Sequence, residues 1–176
     1  MRGMRLVILI VVGLVGGVSG VAQGKSQFHD RETLEYLASK AAKFSGRVLL
    51  PVDQLPPVFV LSREELNQEV CGSDAAQCST LAAVFDDSAY RILIVNSLDL
   101  NQAQDNSYLL HEIVHSLQFQ TDALNMYKDC EHLYRTEAEA YRSQDRYLES
   151  EGQFLRTLPQ LRYFLCEGKS LEPRMI

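Results

Sequence analysis

The chain contains no tryptophan, and its 176 residues include only five prolines and ten glycines, with no tract of either and no single-residue repeat. Those absences exclude a collagenous, fibrous or wholly disordered protein, each of which needs a biased composition. Positive charge is also scarce: 17 Lys and Arg stand against 23 Asp and Glu, a formal net charge of −6. No basic run with interleaved aromatic residues occurs, so nucleic acid is not an expected partner. The four cysteines include no CxxC pair, which argues against a zinc site built from four thiolates. What is present is 46 % hydrophobic and 23 % charged residues, over a length that suits one domain rather than two.

Residues 1–22 read as a signal peptide and 23–176 as a single mature domain. Arg2 and Arg5 flank the start of the uncharged stretch LVILIVVGLVGGVSGVA, and the small residues Gly20 and Ala22 suit cleavage before Gln23. The alternative is an uncleaved membrane anchor, since the block is near the minimum length for crossing a bilayer, although it is rich in glycine. No cysteine stands at the junction, so a bacterial lipoprotein is not indicated. Loss of Arg2 and Arg5 with the leader takes the net charge from −6 to −8. The expectation is an exported protein, periplasmic or extracellular, without stable membrane insertion once the leader is cleaved. Export permits disulfide bonds. The favoured pairing joins Cys71 to Cys78 across a short loop and Cys130 to Cys166 across two consecutive helices, with free buried thiols as the alternative.

Along the mature chain, Leu34, Leu37, Ala38 and Ala41 recur at helical spacing between Thr33 and Phe44, before Gly46. Val58 to Leu61 reads as a short strand, and Ser62 with Glu65 forms a capping-box pattern opening a helix that ends at Cys71-Gly72. The runs Leu81 to Phe85 and Arg91 to Asn96 suggest a hairpin. A helix is expected from Asp105 or Asn106 to Phe119, a second from Cys130 to Ser150 capped by Asp129, and a third around Phe154 to Leu165, weakened by Pro159. Helices outnumber strands, so the fold class is α+β, a small sheet packed on helices.

The chemistry is carried by HEIVH, His111 to His115. Residues four apart on a helix share a face, so both imidazoles can reach one zinc ion, and Glu112 lies beside them as a proton acceptor for water. Leu110, Ile113, Val114 and Leu117 supply apolar backing that makes this a central helix, and Gln118 stands near the histidine face as a hydrogen-bond partner. The bland alternative is a helix whose histidines merely satisfy hydrogen bonds near the surface.

The third ligand must come from elsewhere. The extended pattern HExxHxxGxxH fails, because Gln118 and Thr121 occupy its glycine and last histidine positions. In CEHLYRTEAEAYRSQDRYLES, the residues Leu133, Glu137, Ala140, Tyr141, Gln144 and Leu148 make one stripe of period 3.6. Glu137 is therefore a carboxylate in an inward-facing surface, costly to bury unless paired or bound to metal. Glu139 shares the opposite face with His132, Thr136, Ser143 and Arg146, which reads as solvent. Glu137 is the preferred ligand, with Glu139 and then His132 in reserve and a salt bridge from Glu137 to Arg142 as the structural alternative.

HEIVHSLQ followed by YKDCEHLYRTEAEAYRSQ resembles the short zincin-like metallopeptidases of the glutamate-ligand type, in which an ExEA helix follows HExxH. The resemblance covers roughly Leu93 to Leu148. It implies a minimal zincin-like domain with Zn²⁺ held by His111, His115 and Glu137, Glu112 as general base, a peptide or protein substrate, and RILIVN as the edge strand along which the substrate lies. The larger relatives carry an acidic residue four positions after the glutamate ligand, where this chain has Tyr141. Tyr141, Tyr134 and Tyr127 are candidate donors to a developing oxyanion. The rival from another class is an exported binding or structural protein that holds zinc without catalysis.

Overall fold

The computed structural model describes residues 26–72, 80–163, 165–166 and 169–170, so the expected leader lies outside the described residues. The first short strand, β1 (Ser26–Gln27), leads into α1 (Arg31–Ser45). Asp30 opens that helix by accepting the Thr33 amide at 3.1 Å. Gly46 closes it with a φ of 75°, a left-handed conformation that a side chain would strain. Strand β2 (Val58–Leu61) runs into α2 (Arg63–Cys71) through a complete capping box, Ser62 and Glu65 each accepting the other's amide.

The hairpin follows as β3 (Ala83–Asp86) and β4 (Arg91–Val95). The sheet order is β1-β2-β4-β3, with β2 and β4 parallel and both outer pairs antiparallel. This corrects the assignment of RILIVN as the edge strand. β4 is central, as its continuous apolar run Ile92 to Val95, at most 2 % exposed, requires of a strand covered on both faces. The edge strands are β1 and β3, and it is β3 that lies beside β4, its residues alternating buried and half-buried.

Helix α3 (Ala103–Met126) begins earlier than expected, because the Asp105 carboxylate turns back to accept the Asp99 amide at 2.7 Å instead of capping the helix. It continues beyond Phe119 and bends at Asp122, where the backbone leaves helical geometry. Helix α4 (Cys130–Ser150) starts as the sequence predicts, with Asp129 accepting the His132 amide at 2.9 Å. The helix expected around Phe154 to Leu165 does not form. Only a 3-10 turn, Leu158–Tyr163, stands there, where Pro159 contributes no amide donor, and the short strands β5 (Leu165–Cys166) and β6 (Lys169–Ser170) pair after it. The buried Asp145 carboxylate ties the segment back, accepting the Thr157 amide at 2.5 Å and its hydroxyl at 2.8 Å.

The architecture is thus α+β, a four-stranded sheet packed on helices with α3 in the middle. Leu109, Leu110, Ile113, Val114 and Leu117 of α3 are all at most 1 % exposed and meet Ala38 and Ala41 of α1, Ile92 and Ile94 of β4, and Ala140, Tyr147 and Leu148 of α4 in one cluster. Both expected disulfide pairs, Cys71 with Cys78 and Cys130 with Cys166, reach outside the described residues, among which no cysteine pair lies at disulfide distance. Cys78 and the Cys166 side chain fall outside those residues, although neither Cys71 nor Cys130 is a free thiol. Among the described residues no helix is long and apolar enough to cross a membrane.

Candidate metal centre

Helices α3 and α4 pack side by side, and the HEIVH turn of α3 faces the stripe of α4 that carries Glu137. His111, at 7 %, and His115, at 5 % exposure, are buried. Their Nε2 atoms lie 3.4 Å and 3.3 Å from Oε2 and Oε1 of Glu137 respectively. One ligand atom from each of the three residues falls within 4.8 Å of the other two, so the cluster could hold a metal ion. The two rings stand nearly edge to face at 4.8 Å, and the Tyr141 ring packs against His111 at 4.6 Å.

The electrostatics of the cluster fit a cation. Burial acts to raise the Glu137 carboxyl, but the two imidazoles beside it outweigh that and hold it far below the usual carboxylate range. Burial acts to lower His115, yet the Glu137 hydrogen bond and charge, with Glu112 and Gln118, carry it up to about 9. A metal-free site therefore draws a proton into the place where three lone-pair donors converge. Two imidazoles and one carboxylate are a donor set suited to zinc, and they leave one position of a tetrahedron open.

The other carboxylate of α4 is disposed of differently. Glu139 makes a two-pronged ion pair with Arg47, its Oε2 accepting from Nη2 at 2.9 Å, while the same guanidinium reaches Thr121. The face expected to be solvated is in fact covered: Ser143 is fully buried and Thr136 is 9 % exposed. Helix α1 packs on α4, and nothing in the local polarity of the sequence announces that contact. His132 is held at the start of α4 by Asp129, 2.8 Å from its Nδ1, and is not brought to the cluster.

Glu112 is 9 % exposed, and its Oε2 accepts the Phe85 amide of β3 at 2.8 Å. This contact fastens the edge strand to the helix. Beside it opens a cavity of about 430 Å³ lined by Thr80 to Phe85, Tyr108, Tyr127, Tyr141 and Gln144, together with His111, Glu112, His115 and Glu137. Tyr127 and Tyr141 are both pushed up to about 12, first by burial and then by neighbouring carboxylates, so they are neutral phenols throughout the physiological range. Tyr134 does not line the cavity; it packs with Ala138 and Leu161 on another side of α4. One residue of the site, Tyr108, escaped the sequence reading; it lines the cavity one turn before His111, and that helical spacing is the signal that could have found it. Gln144, placed by the sequence on the stripe of Glu137 without a role, bonds to His111.

A family described as a domain of unknown function (DUF6647) matches residues 32–157, and the chain belongs to it. No curated protein and no solved structure matches the chain.

Proposed function

We propose that this member of the DUF6647 family is a zinc-dependent peptidase with a zincin-like centre in which His111, His115 and Glu137 hold the metal and Glu112 is the general base. The observation that carries the reading is the convergence of the two histidines and Glu137 at the wall of a cavity that Glu112 also lines. When bound, zinc supplies a Lewis acid for the scissile carbonyl and makes water more acidic. Glu112 takes the proton from the attacking water and delivers it to the leaving amine. The Phe85 amide holds Glu112 in place while it does so. Tyr141 or Tyr127, kept as neutral phenols at the cavity wall, donates a hydrogen bond to the oxyanion.

The substrate is an extended peptide lying along β3. Val95 donates to the Ala82 carbonyl at 2.9 Å, so Ala82 and Val84 turn their backbone groups toward β4. Ala83 and Phe85 alternate with them and face away from the sheet, where Phe85 already serves Glu112 and Ala83 stands at the cavity. The composition of residues 1–22 supports placing this activity outside the cytoplasm.

Glu112→Gln tests the reading, because it keeps the side-chain shape and removes the base. Zinc binding and folding are expected to persist, with cleavage of unfolded protein substrates down by roughly 10²-fold or more. Equal cleavage by both forms would refute the assignment of Glu112. A zinc-loaded wild type that cleaves no peptide or unfolded protein would favour the non-catalytic zinc-binding alternative.

A further inference from the structure

Each histidine of the cluster has its other ring nitrogen on a glutamine. His111 Nδ1 lies 3.1 Å from Gln144 Oε1, and His115 Nδ1 lies 2.8 Å from Gln118 Oε1. The direction of these bonds follows from what lies behind them. Gln118 Nε2 is 3.0 Å from the Thr136 carbonyl, which can only accept, so the amide must present its oxygen to His115, and the ring must donate. Ser107 gives its proton to the Gln104 carbonyl at 2.6 Å, so its Oγ accepts from Gln144 Nε2 at 2.9 Å. Gln144 therefore also turns its oxygen to the imidazole, and His111 donates as well. Both rings therefore keep a proton on Nδ1, which leaves Nε2, the nitrogen facing Glu137, as the atom that would bind the metal. Gln118, Gln144 and Ser107 are all buried, at most 2 % exposed, so water does not compete for these bonds.

Resting on the metal-centre reading above, we propose that Gln118 and Gln144 are positioning residues that lock the two histidine ligands in the metal-binding tautomer. Each glutamine links α3 to α4, so the lock is set by helix packing and stands ready before metal arrives. Both partners are neutral carboxamides, so they orient the rings without adding negative charge. A zinc ion held there would be offset by the single charge of Glu137 alone, whereas a carboxylate partner on either ring would add affinity and lower the ion's Lewis acidity.

Zinc affinity of the full chain, measured by chelator competition, tests the proposal without any assay of activity. Gln144→Leu removes the acceptor at similar size and should weaken zinc binding about 10- to 100-fold. Gln144→Glu keeps the acceptor and should bind zinc at least as tightly as wild type, a rescue that a merely structural role would not give. Ser107→Ala frees the amide to turn and should weaken binding by less than Gln144→Leu, which keeps the question open to measurement if the leucine variant does not fold. The lock is refuted if Gln144→Leu binds like wild type, or if Gln144→Glu loses as much as Gln144→Leu. Absence of zinc binding in the wild type overturns the metal-centre reading along with it, whereas a wild-type site with unaffected variants overturns the lock alone.

Discussion

Two carboxylates two residues apart in sequence, Glu137 and Glu139, are given opposite work by the fold, and a pair of alanine variants separates them. A ligand that binds only the native state stabilises it by about 4 kcal/mol at a thousandfold excess over its dissociation constant. For a chain of this length that is a rise in Tm of roughly 10 °C. Glu137→Ala deletes one of three protein ligands. Taking a ligand as about a quarter of the 10–16 kcal/mol of a four-ligand zinc site, the loss is ~3 kcal/mol, or about 10²-fold in affinity. At the same free zinc, only about 1 kcal/mol of stabilisation then remains. Glu139→Ala instead breaks the ion pair with Arg47, whose side chains are 23 % and 26 % exposed. Allowing for screening, that costs about 1 kcal/mol with or without zinc. Differential scanning fluorimetry of both variants and wild type, each with chelator and with zinc, reads the two effects apart: Glu137→Ala loses most of the zinc-dependent shift, and Glu139→Ala lowers the baseline and keeps the shift. The reverse pattern would show that the wrong carboxylate has been assigned to the metal, and an unchanged shift in both would remove Glu137 and Glu139 alike from the centre.

Leu110 is fully buried next to the first histidine, so Leu110→Ala should cost about 2–5 kcal/mol in urea unfolding, and a loss under 1 kcal/mol would contradict the central place given to α3. Burial acts to raise the Glu151 carboxyl, but the Tyr36 hydroxyl at 2.5 Å and Lys40 at 3.1 Å outweigh it and hold the group below its ordinary 4.5. A depressed carboxyl contributes its full stability above the unfolded value and loses it as pH falls through the folded one. Glu151→Gln should therefore be less stable than wild type at neutral pH and converge on it in acid; a difference that persists unchanged below pH 3 would point to lost packing instead.

The elements read best from the sequence were those whose ends are fixed locally. Asp129 before α4 and the Ser62–Glu65 capping box bond to their own neighbours, so the sequence alone locates them. Asp105 has the same chemistry but spends its carboxylate on Asp99, and α3 consequently starts where no cap pattern marks it. The strand order was hidden because it depends on which partner β4 takes across the α2 crossover, a choice made by packing. The apolar run in β4 held a clue, since an edge strand rarely buries four consecutive side chains. The placement of Glu137 was legible because its stripe is set by helical period, which survives folding unchanged. The burial of the Glu139 face was not, because α1 lies about 90 residues upstream and Arg47, just past its end, supplies the pairing charge.

X-ray absorption at the zinc edge of the full-length, zinc-loaded chain tests the central claim most directly, because it counts the atoms around the ion. The account predicts one zinc per chain with two imidazole nitrogens and the rest oxygen, no sulfur, and one imidazole fewer in His115→Ala. A sulfur scatterer, a first shell without two imidazoles, or a spectrum unchanged by His115→Ala would contradict it.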